Sequence, residues 1–405
     1  MRILYLCQRV PYPPVRGDKT ATYHHIHYLA RNHDVAVGCL ADGEEDLANV
    51  SGIAGLVTSV DAVPLSRWRG RLRMLAALAT GTPLTLAYFN EPELRWCIRA
   101  RIAAGRFDAV VIYSSGMAQF VEESGGVPRI MFFSDLDSLK WQQYAANVGL
   151  PMRCLYSREA RRLLHYERRV AATFEHSLVC SLRELQDCQR LLPEAQVSCV
   201  SNGVDLEYFR PNGQSKRKNS LVFTGVMDYL PNVDGVTWFS HEVLPLIRAQ
   251  IPGVTFTICG SRPTLRVQRL QRLGGVKVTG SVPDVRPFLA EASVCVVPLR
   301  LGRGIQNKLL EAMAMGIPTV STTVAFAGVE AIRGSDLLVA DDAKEFAAHV
   351  VRLLGDEKLR ARLGQSARAT MEKSYCWEAR LADLEVTIAS VTSRNPSHAV
   401  FRTPG

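Results

Sequence analysis

The chain twice repeats an alternation between short apolar runs and segments whose apolar residues recur at helical spacing. Runs of strand character in the first half are 2–6, 34–40, 109–113, 129–133, 177–180 and 197–200. In the second half they are 220–224, 254–259, 276–279, 293–298 and 318–321. Strands that alternate with helices usually pair in parallel, so this order predicts an α/β chain with two parallel sheets.

A polar segment, PNGQSKRKN at 211–219, separates the two halves and has no apolar periodicity. That composition is typical of an exposed linker. We therefore predict a first domain over 1–210 and a second beginning at 220. A length of 405 residues, 47% of them hydrophobic, is sufficient for two cores.

Ten cysteines are scattered along the chain without metal-ligand spacing, and several fall in apolar runs. They are best interpreted as reduced thiols, which favours a cytoplasmic protein. The start, RILYL, has the character of a strand and not of a signal peptide, and no apolar run reaches spanning length. We therefore expect a cytoplasmic protein that is not integral to a membrane.

A net charge of +9 calls for an acidic partner or surface. Neither zinc-finger spacing nor an aromatic-basic sheet motif supports nucleic acid as that partner. The segment SRWRGRLRMLAALA at 66–79 combines a basic side with an apolar side; its residues of interest are Arg67, Trp68, Arg69, Arg71 and Arg73. Two interpretations remain open: peripheral contact with an anionic membrane, or a surface helix with its apolar face on the core.

The segment GRGIQNKLLEAMAMGIPTV at 302–320 predicts a tight loop, a helix and a strand. Gly302 and Gly304 permit close backbone approach, and a helix that opens there directs free N–H groups outward. Asn307 and Lys308 lie in the first turn, and Glu311 follows one turn later. This arrangement suits a nucleotide-sugar diphosphate, with phosphate at the helix tip and ribose on the acid. A core helix with a solvated Lys308–Glu311 pair is the alternative.

This segment resembles the donor signature of the retaining glycosyltransferases of group 1 (family four), which have two Rossmann-like domains in the GT-B architecture. That signature carries two glutamates, and Glu311 matches the second, in its "LEAMA-G-P" context. Arg303 occupies the position of the first, and Ile305-Gln306 replaces the usual Phe-Gly. The resemblance gives the ribose contact to Glu311 and adds Arg303, Gly304 and Gln306 to the donor-binding residues.

Three further glycine loops resemble family elements of the donor site. Gly225 ends the first strand of the second half, where the family often places an Arg and a Lys; Asp228 and Asn232 occupy that region here. Phosphate neutralisation is therefore expected from Lys308 and Arg303. Gly260 closes the next strand, and the loop around Val282 corresponds to the place where backbone groups read the nucleotide base. SNGVDLEYFRP at 201–211 matches the family's "NGVD…F.P" element.

The acceptor side is expected in the first half. Gly17 supplies a turn after the first strand, and Arg16 and Lys19 are predicted to face the cleft between domains. In the family this loop approaches the donor phosphates or the acceptor, so the resemblance adds Gly17 to the donor-binding residues. Asp135 and Asp137 follow a strand in FFSDLDSLKW, and both are expected on the acceptor side. A metal-binding "DLD" is the less favoured interpretation of that string, so no metal is predicted, and Asp135 is expected to bind the acceptor hydroxyl or act as a base.

The resemblance covers all but the tail at 394–405. It implies two Rossmann-like domains facing across a cleft, over 1–210 and 220–374, with a helix at 375–393 returning to the first domain. The narrower likeness is to bacterial transferases of exopolysaccharide clusters and the PEP-CTERM exosortase system.

The implied reaction is metal-independent transfer of a sugar, with retained configuration, from a nucleotide diphosphate to a glycan or lipid-linked acceptor. Lys308, Glu311 and Asp135 are the predicted catalytic residues. No cofactor is expected, because the nucleotide sugar is itself a substrate. A nucleotide-sugar epimerase and a catalytically silent nucleotide-binding protein are the alternatives.

Overall fold

The structure is a computed structural model and describes residues 1–105, 107–123 and 125–394. The chain forms two compact units. The first contains Met1–Ser201 and the chain from Leu381 onward, and the second contains Asn202–Arg380. This agrees with the predicted repetition of an α/β pattern, and each unit is built on its own parallel sheet.

The first unit contains a sheet with strand order β3-β2-β1-β4-β5-β6-β7 in the described part of the chain. Its strands are β1 (Arg2–Cys7), β2 (Asp34–Ala41), β3 (Ser59–Pro64), β4 (Ala109–Tyr113), β5 (Arg129–Ser134), β6 (His176–Val179) and β7 (Val197–Cys199). Its helices are α1 (Gly17–Leu29), α2 (Glu44–Ala48), α3 (Ser51–Ala54), α4 (Arg67–Thr80), α5 (Leu84–Phe89), α6 (Pro92–Ala104), α7 (Asp137–Ala146), α8 (Met152–Thr173) and α9 (Leu182–Leu191), with a 3-10 turn at Ser115–Phe120.

The second unit contains a sheet with strand order β10-β9-β8-β11-β12-β13. Its strands are β8 (Ser220–Thr224), β9 (Thr255–Cys259), β10 (Val276–Val278), β11 (Val294–Val297), β12 (Thr319–Ser321) and β13 (Leu338–Val339). Its helices are α10 (Leu230–Trp238), α11 (Leu244–Gln250), α12 (Leu265–Arg269), α13 (Arg286–Glu291), α14 (Asn307–Ala314), α15 (Thr323–Phe326), α16 (Ala343–Gly355) and α17 (Glu357–Ser374). A π-helical turn at Phe239–Val243 joins α10 to α11, and a 3-10 turn follows α12 at Leu270–Arg272. Helix α18 (Trp377–Ser393) begins in this unit and ends in the first.

All eleven predicted strands are present, each within one residue of its predicted ends. Their apolar runs are continuous because helices cover both faces of a parallel sheet, as the completely buried β4 and β8 show. Strands β3 and β13 were not predicted from the sequence. Both lie at an edge of their sheet, and β3 is mostly half-buried while β13 has only two residues, so neither produces a long apolar run.

The boundary between the units lies earlier than the predicted linker at 211–219. Residues 202–210 had been assigned to the first domain, but they belong to the second unit. Val204 N–H donates to the Tyr375 carbonyl at 2.8 Å, and the Arg368 guanidinium donates to the Phe209 carbonyl at 2.8 Å. These bonds fix the segment to the end of α17.

The last helix begins at Trp377, two residues after its predicted start. From Leu381 onward it belongs to the first unit, where Glu385 accepts hydrogen bonds from Tyr28 at 3.0 Å and from His33 at 3.1 Å. The predicted tail at 394–405 lies outside the described residues except for Arg394. No helix in the described ranges combines the length and apolarity that crossing a membrane requires.

Candidate functional site

Two glycines bring the ends of β8 and β9 into direct backbone contact. A Cβ on Gly260 would overlap the Gly225 carbonyl oxygen and stand 2.8 Å from its carbonyl carbon. A Cβ on Gly225 would stand 2.7 Å from the Asn232 amide nitrogen and 3.3 Å from Lys308 Cε. The predicted donor glycines are therefore brought together at the carboxyl ends of the strands, where ligands bind in parallel α/β sheets.

The loop before α14 folds back on itself through side-chain bonds. The Gln306 amide donates to the Arg303 carbonyl at 3.1 Å, and Lys308 Nζ donates to Gln306 Oε1 at 3.2 Å. Gly304 adopts the left-handed region, with φ of 64°. Gln306, predicted as a donor ligand, thus also holds the loop and the lysine in position.

Lys308 and Glu311 sit near the start of α14 in a poorly solvated environment. Both side chains are partly exposed by surface area, and Lys308 Nζ lies 5.7 Å from the centre of the Phe223 ring. Desolvation lowers the pKa of Lys308 to about 8, although Glu311 and Cys295 oppose the shift. Desolvation also raises the pKa of Glu311 to about 7, and Lys308 opposes that shift. The pair is therefore not the fully solvated one of the alternative interpretation.

Several polar atoms at this edge are buried without a hydrogen-bond partner among the residues that the structure describes. They are Thr224 Oγ1, Asn232 Oδ1 and Asn307 Nδ2. Asn307 Oδ1 accepts from the Asn202 amide at 3.0 Å, so the SNG turn at 201–203 orients the first residue of α14. Because buried polar groups are normally paired, these atoms mark this edge as a candidate ligand site.

The absence of the family's Arg and Lys after Gly225 leaves an acidic group near the turn. Asp228 lies 3.9 Å from Arg262, and both side chains are about half exposed. Arg303 is partly buried. Lys308 remains the cation that the geometry places against Gly225.

The third loop carries Val282, which is partly exposed. Near it, Asp284 accepts the Arg286 backbone N–H at 2.9 Å and pairs with the Arg286 guanidinium at 2.8 Å. That guanidinium stacks on the Tyr208 ring at 3.8 Å. Asp284 therefore caps the start of α13, and its ion pair with Arg286 stabilises this turn.

On the first unit, Lys19 does not have the accessible position predicted for it. It is buried, and its Nζ donates to Asp46 Oδ1 at 2.6 Å. Gly17 is the first residue of α1 and is not in the left-handed region. Arg16 stays partly exposed and lies 3.4 Å from Asp18. Lys19 is therefore a structural cation, because its burial requires a carboxylate partner.

Asp135 and Asp137 follow β5 as predicted. Asp135 is partly exposed and comes directly after Ser134, whose φ of 65° is unusual for a residue other than glycine. Asp137 pairs with Lys140 within α7, so it is engaged locally and is a weaker acceptor candidate than predicted. Within the described ranges, no three His, Cys, Asp or Glu side chains cluster in a way that could hold a metal ion.

The interpretation of 66–79 as a core-facing helix is wrong. In α4 the exposed fractions are 63% for Trp68, 55% for Leu72, 63% for Leu75 and 45% for Leu78. The buried residues of α4 are Gly70 and Ala77. Among its arginines, Arg67, Arg69 and Arg71 are exposed, whereas Arg73 pairs with Glu91 at 2.6 Å. The apolar stripe thus faces outward.

Two buried glutamates on α8 were not predicted from the sequence. Glu159 accepts the backbone N–H groups of Leu84 and Thr85 at 2.7 and 2.8 Å, which caps α5. Glu167 accepts the Ser138 N–H at 3.2 Å near the start of α7. Each carboxylate lies in an arginine-rich helix, so the sequence alone suggests surface ion pairs instead.

Comparison with known proteins agrees with this geometry. Residues 218–356 match the family model described as glycosyl transferases group 1. A lipopolysaccharide core biosynthesis glycosyltransferase of Rhizobium meliloti is 31% identical over 146 residues, which are 34% of this chain and 42% of the relative. The four relatives are aligned over only 13–42% of their own lengths.

Solved structures match over nearly the whole chain. A sucrose-phosphate synthase from Thermosynechococcus elongatus superposes with a TM-score of 0.75 at 16% identity, over 97% of this chain and 100% of the other. The UDP-glucose complex of Anabaena HepE gives a TM-score of 0.66 at 16% identity, over 96% and 100%. Residues 218–356 thus match the glycosyl transferases group 1, and the chain that contains them has the GT-B fold of these solved structures.

Proposed function

We propose that the protein transfers a sugar from a nucleotide-diphosphate donor to a hydroxyl of a glycan or lipid-linked glycan in bacterial polysaccharide synthesis. The observation that carries this proposal is the set of unpartnered polar atoms around Lys308 at the ends of β8 and the starts of α10 and α14. The phosphate oxygens and ribose hydroxyls of a nucleoside diphosphate are suitable hydrogen-bond partners for these atoms.

The relatives support the same class of substrate. Two of the matched proteins are named for lipopolysaccharide core and O-antigen synthesis, and the HepE structure is a complex with UDP-glucose. The narrower link to exosortase systems stays a prediction from resemblance.

In the proposed reaction the bond between the anomeric carbon and the diphosphate oxygen breaks, and the acceptor oxygen attacks from the same face. Attack from the same face retains the configuration of the anomeric carbon. The acceptor proton passes to the departing phosphate, and the step uses neither a metal nor a cofactor. Lys308 and the N–H groups that open α14 stabilise the charge on the leaving diphosphate. Glu311 binds the ribose, and Asp135 binds the acceptor hydroxyl.

The decisive test is calorimetry with nucleoside diphosphates, followed by a panel of nucleotide sugars with and without acceptor. Lys308→Ala should lose donor affinity and turnover, because a hydrogen bond to a charged group contributes about 1.5–3 kcal/mol. Lys344→Ala removes an exposed lysine of the same unit and should behave as wild type.

Equal turnover in Lys308→Ala and wild type at saturating donor would refute the assignment. Isomerised donor without any acceptor product would indicate the epimerase. Nucleotide binding without either product would indicate a silent binding protein.

We also propose that the protein works at the cytoplasmic membrane face, where α4 contacts the headgroup region. Trp68 and the three outward leucines form the apolar part of that contact, and Arg67, Arg69 and Arg71 supply positive charge. Arg73 is not part of the proposed membrane contact, because it forms an ion pair with Glu91 within the first unit. Flotation of wild type and Leu72→Ser/Leu75→Ser with anionic vesicles tests this; equal flotation would disprove the contact.

A further inference from the structure

A groove of about 640 Å³ lies in the first unit, between the turn that follows α4 and the outer side of α8. The turn contributes 80–83. Helix α8 contributes Arg158, Arg161, Arg162, His165 and Arg169. The groove therefore begins where the outward apolar stripe of α4 ends, and its α8 side is strongly basic.

The positive charge of the groove results from an uneven distribution of charge around α8. Its two buried glutamates, Glu159 and Glu167, face inward and accept backbone N–H groups. Arg169 pairs with Glu122 at 3.0 Å at one end of the groove. The uncompensated charge is consequently concentrated toward Arg161 and Arg162.

Arg158 links the groove to α4. One of its terminal nitrogens donates to the Ala77 carbonyl at 2.7 Å and to the Leu78 carbonyl at 3.2 Å, which satisfies the last turn of α4. Its other terminal nitrogen, Nη1, is buried and has no hydrogen-bond partner among the described residues. Arg158 thus anchors the α8 side of the groove to α4, and the neighbouring Arg161 and Arg162 supply guanidinium groups suited to phosphate oxygens.

Gly81 permits this arrangement. It ends α4 in the left-handed region, with φ of 84°, and a Cβ there would overlap the Arg162 guanidinium. The backbone turn and the arginine therefore occupy the space that a side chain would need. This close fit positions Arg162 against the rim of the groove.

We propose that this groove binds the phosphate headgroup of an anionic membrane lipid while the outward face of α4 enters the interface beside it. On a helical wheel, Trp68, Leu72 and Leu75 lie opposite the buried Gly70 and Ala77, so the apolar stripe can insert without unpacking α4. This headgroup site is additional to the proposed contact of α4 with the membrane and rests on that contact. It does not depend on the transferase activity.

The test measures partition onto phosphatidylcholine vesicles with and without phosphatidylglycerol. An arginine near an anionic leaflet contributes about fivefold in affinity, so Arg161→Gln/Arg162→Gln should weaken binding about 25-fold. The matched control is Arg266→Gln/Arg269→Gln, which removes the same charge from exposed positions on α12 of the second unit. That control should bind nearly as well as wild type.

Equal weakening of both double variants would overturn the proposal, because net charge alone would then explain the binding. Arg161→Lys/Arg162→Lys should recover most of the affinity, and failure to do so with normal melting would also contradict a charge-based headgroup site. Inorganic pyrophosphate should stabilise wild type and Arg161→Gln/Arg162→Gln equally. Stabilisation by pyrophosphate that is lost in this variant, with no vesicle binding, would assign the groove to a free phosphate instead.

Nucleotide affinity, measured on the same samples, separates the two proposals. We expect it to be unchanged in Arg161→Gln/Arg162→Gln. A protein that binds vesicles through the groove but no nucleotide would disprove the proposed transferase and leave the headgroup site intact.

Discussion

Replacement of Gly260 by alanine should disrupt the glycine contact on which the candidate donor site is built. The new Cβ would stand 2.8 Å from the Gly225 carbonyl carbon, whereas nonbonded carbons keep about 3.5–4.0 Å. The obstacle is backbone, so a side-chain rotation cannot relieve it. Because the overlap with the Gly225 carbonyl oxygen is deeper than that with the carbon, the two strand ends must separate by more than about 1 Å.

That separation weakens the hydrogen bonds around the contact. The Gly225 N–H donates to the Cys259 carbonyl at 3.1 Å, and the Met227 N–H donates to the Ser261 carbonyl at 2.8 Å. Overpacking costs about 1–3 kcal/mol, and each lost hydrogen bond adds about 1 kcal/mol. We therefore expect the free energy of unfolding to fall by about 3 kcal/mol or more.

Thermal and urea unfolding of Gly260→Ala and Gly253→Ala would measure this effect. Gly253 is exposed, and an added Cβ would meet nothing within 4 Å, so the control should be neutral or more stable by up to about 1 kcal/mol. At about 2–4 °C per kcal/mol for a domain of this size, Gly260→Ala should melt at least about 6 °C lower. Coincident melting of the two variants would refute the reasoning.

Three further perturbations address the site and its supports. Calorimetry should show that affinity for a nucleoside diphosphate peaks between about pH 7 and 8. Below this range Glu311 is protonated, because the pH falls below its pKa of about 7. Above it Lys308 loses its positive charge, because the pH rises above its pKa of about 8. Lys308→Arg should extend binding to higher pH, and a flat profile in wild type would contradict these protonation roles. Glu159→Gln should lower the free energy of unfolding by about 1–3 kcal/mol, because one backbone N–H of α5 then faces an amide NH₂; unchanged urea unfolding would disprove the capping role. Lys19→Ala should destabilise the protein by about 1–3 kcal/mol through the unpaired Asp46, and a loss of acceptor use without a loss of stability would restore the predicted acceptor role.

The sequence was sufficient for the strands and for the central part of the candidate donor site. Parallel strands that are covered by helices on both faces are continuous apolar runs, so they can be recognised in the local sequence. Two strands at sheet edges, β3 and β13, were missed. Gly225, Gly260 and Lys308 were identified for a related reason. Glycine next to a strand end signals close backbone approach, and the structure brings these three residues into contact.

Tertiary packing decided which charged side chains remain available. The string RGDK at 16–19 does not indicate that Lys19 is buried in an ion pair with Asp46, because Asp46 lies 27 residues further along the chain. The same holds for Glu159 and Glu167, whose backbone partners lie 74–75 and 29 residues away. Whether a charged side chain is exposed or buried therefore depends on whether the folded chain places a hydrogen-bonding or oppositely charged partner beside it.

The outward face of α4 illustrates the same limit most clearly. Helical spacing in 66–79 identifies an apolar stripe, but a stripe is equally compatible with a core and with an interface. Burial of Gly70 and Ala77, on the opposite side of the helix, turned that stripe outward. Local sequence thus determines which residues share a face, whereas the packing of small residues against the rest of the unit determines where that face points.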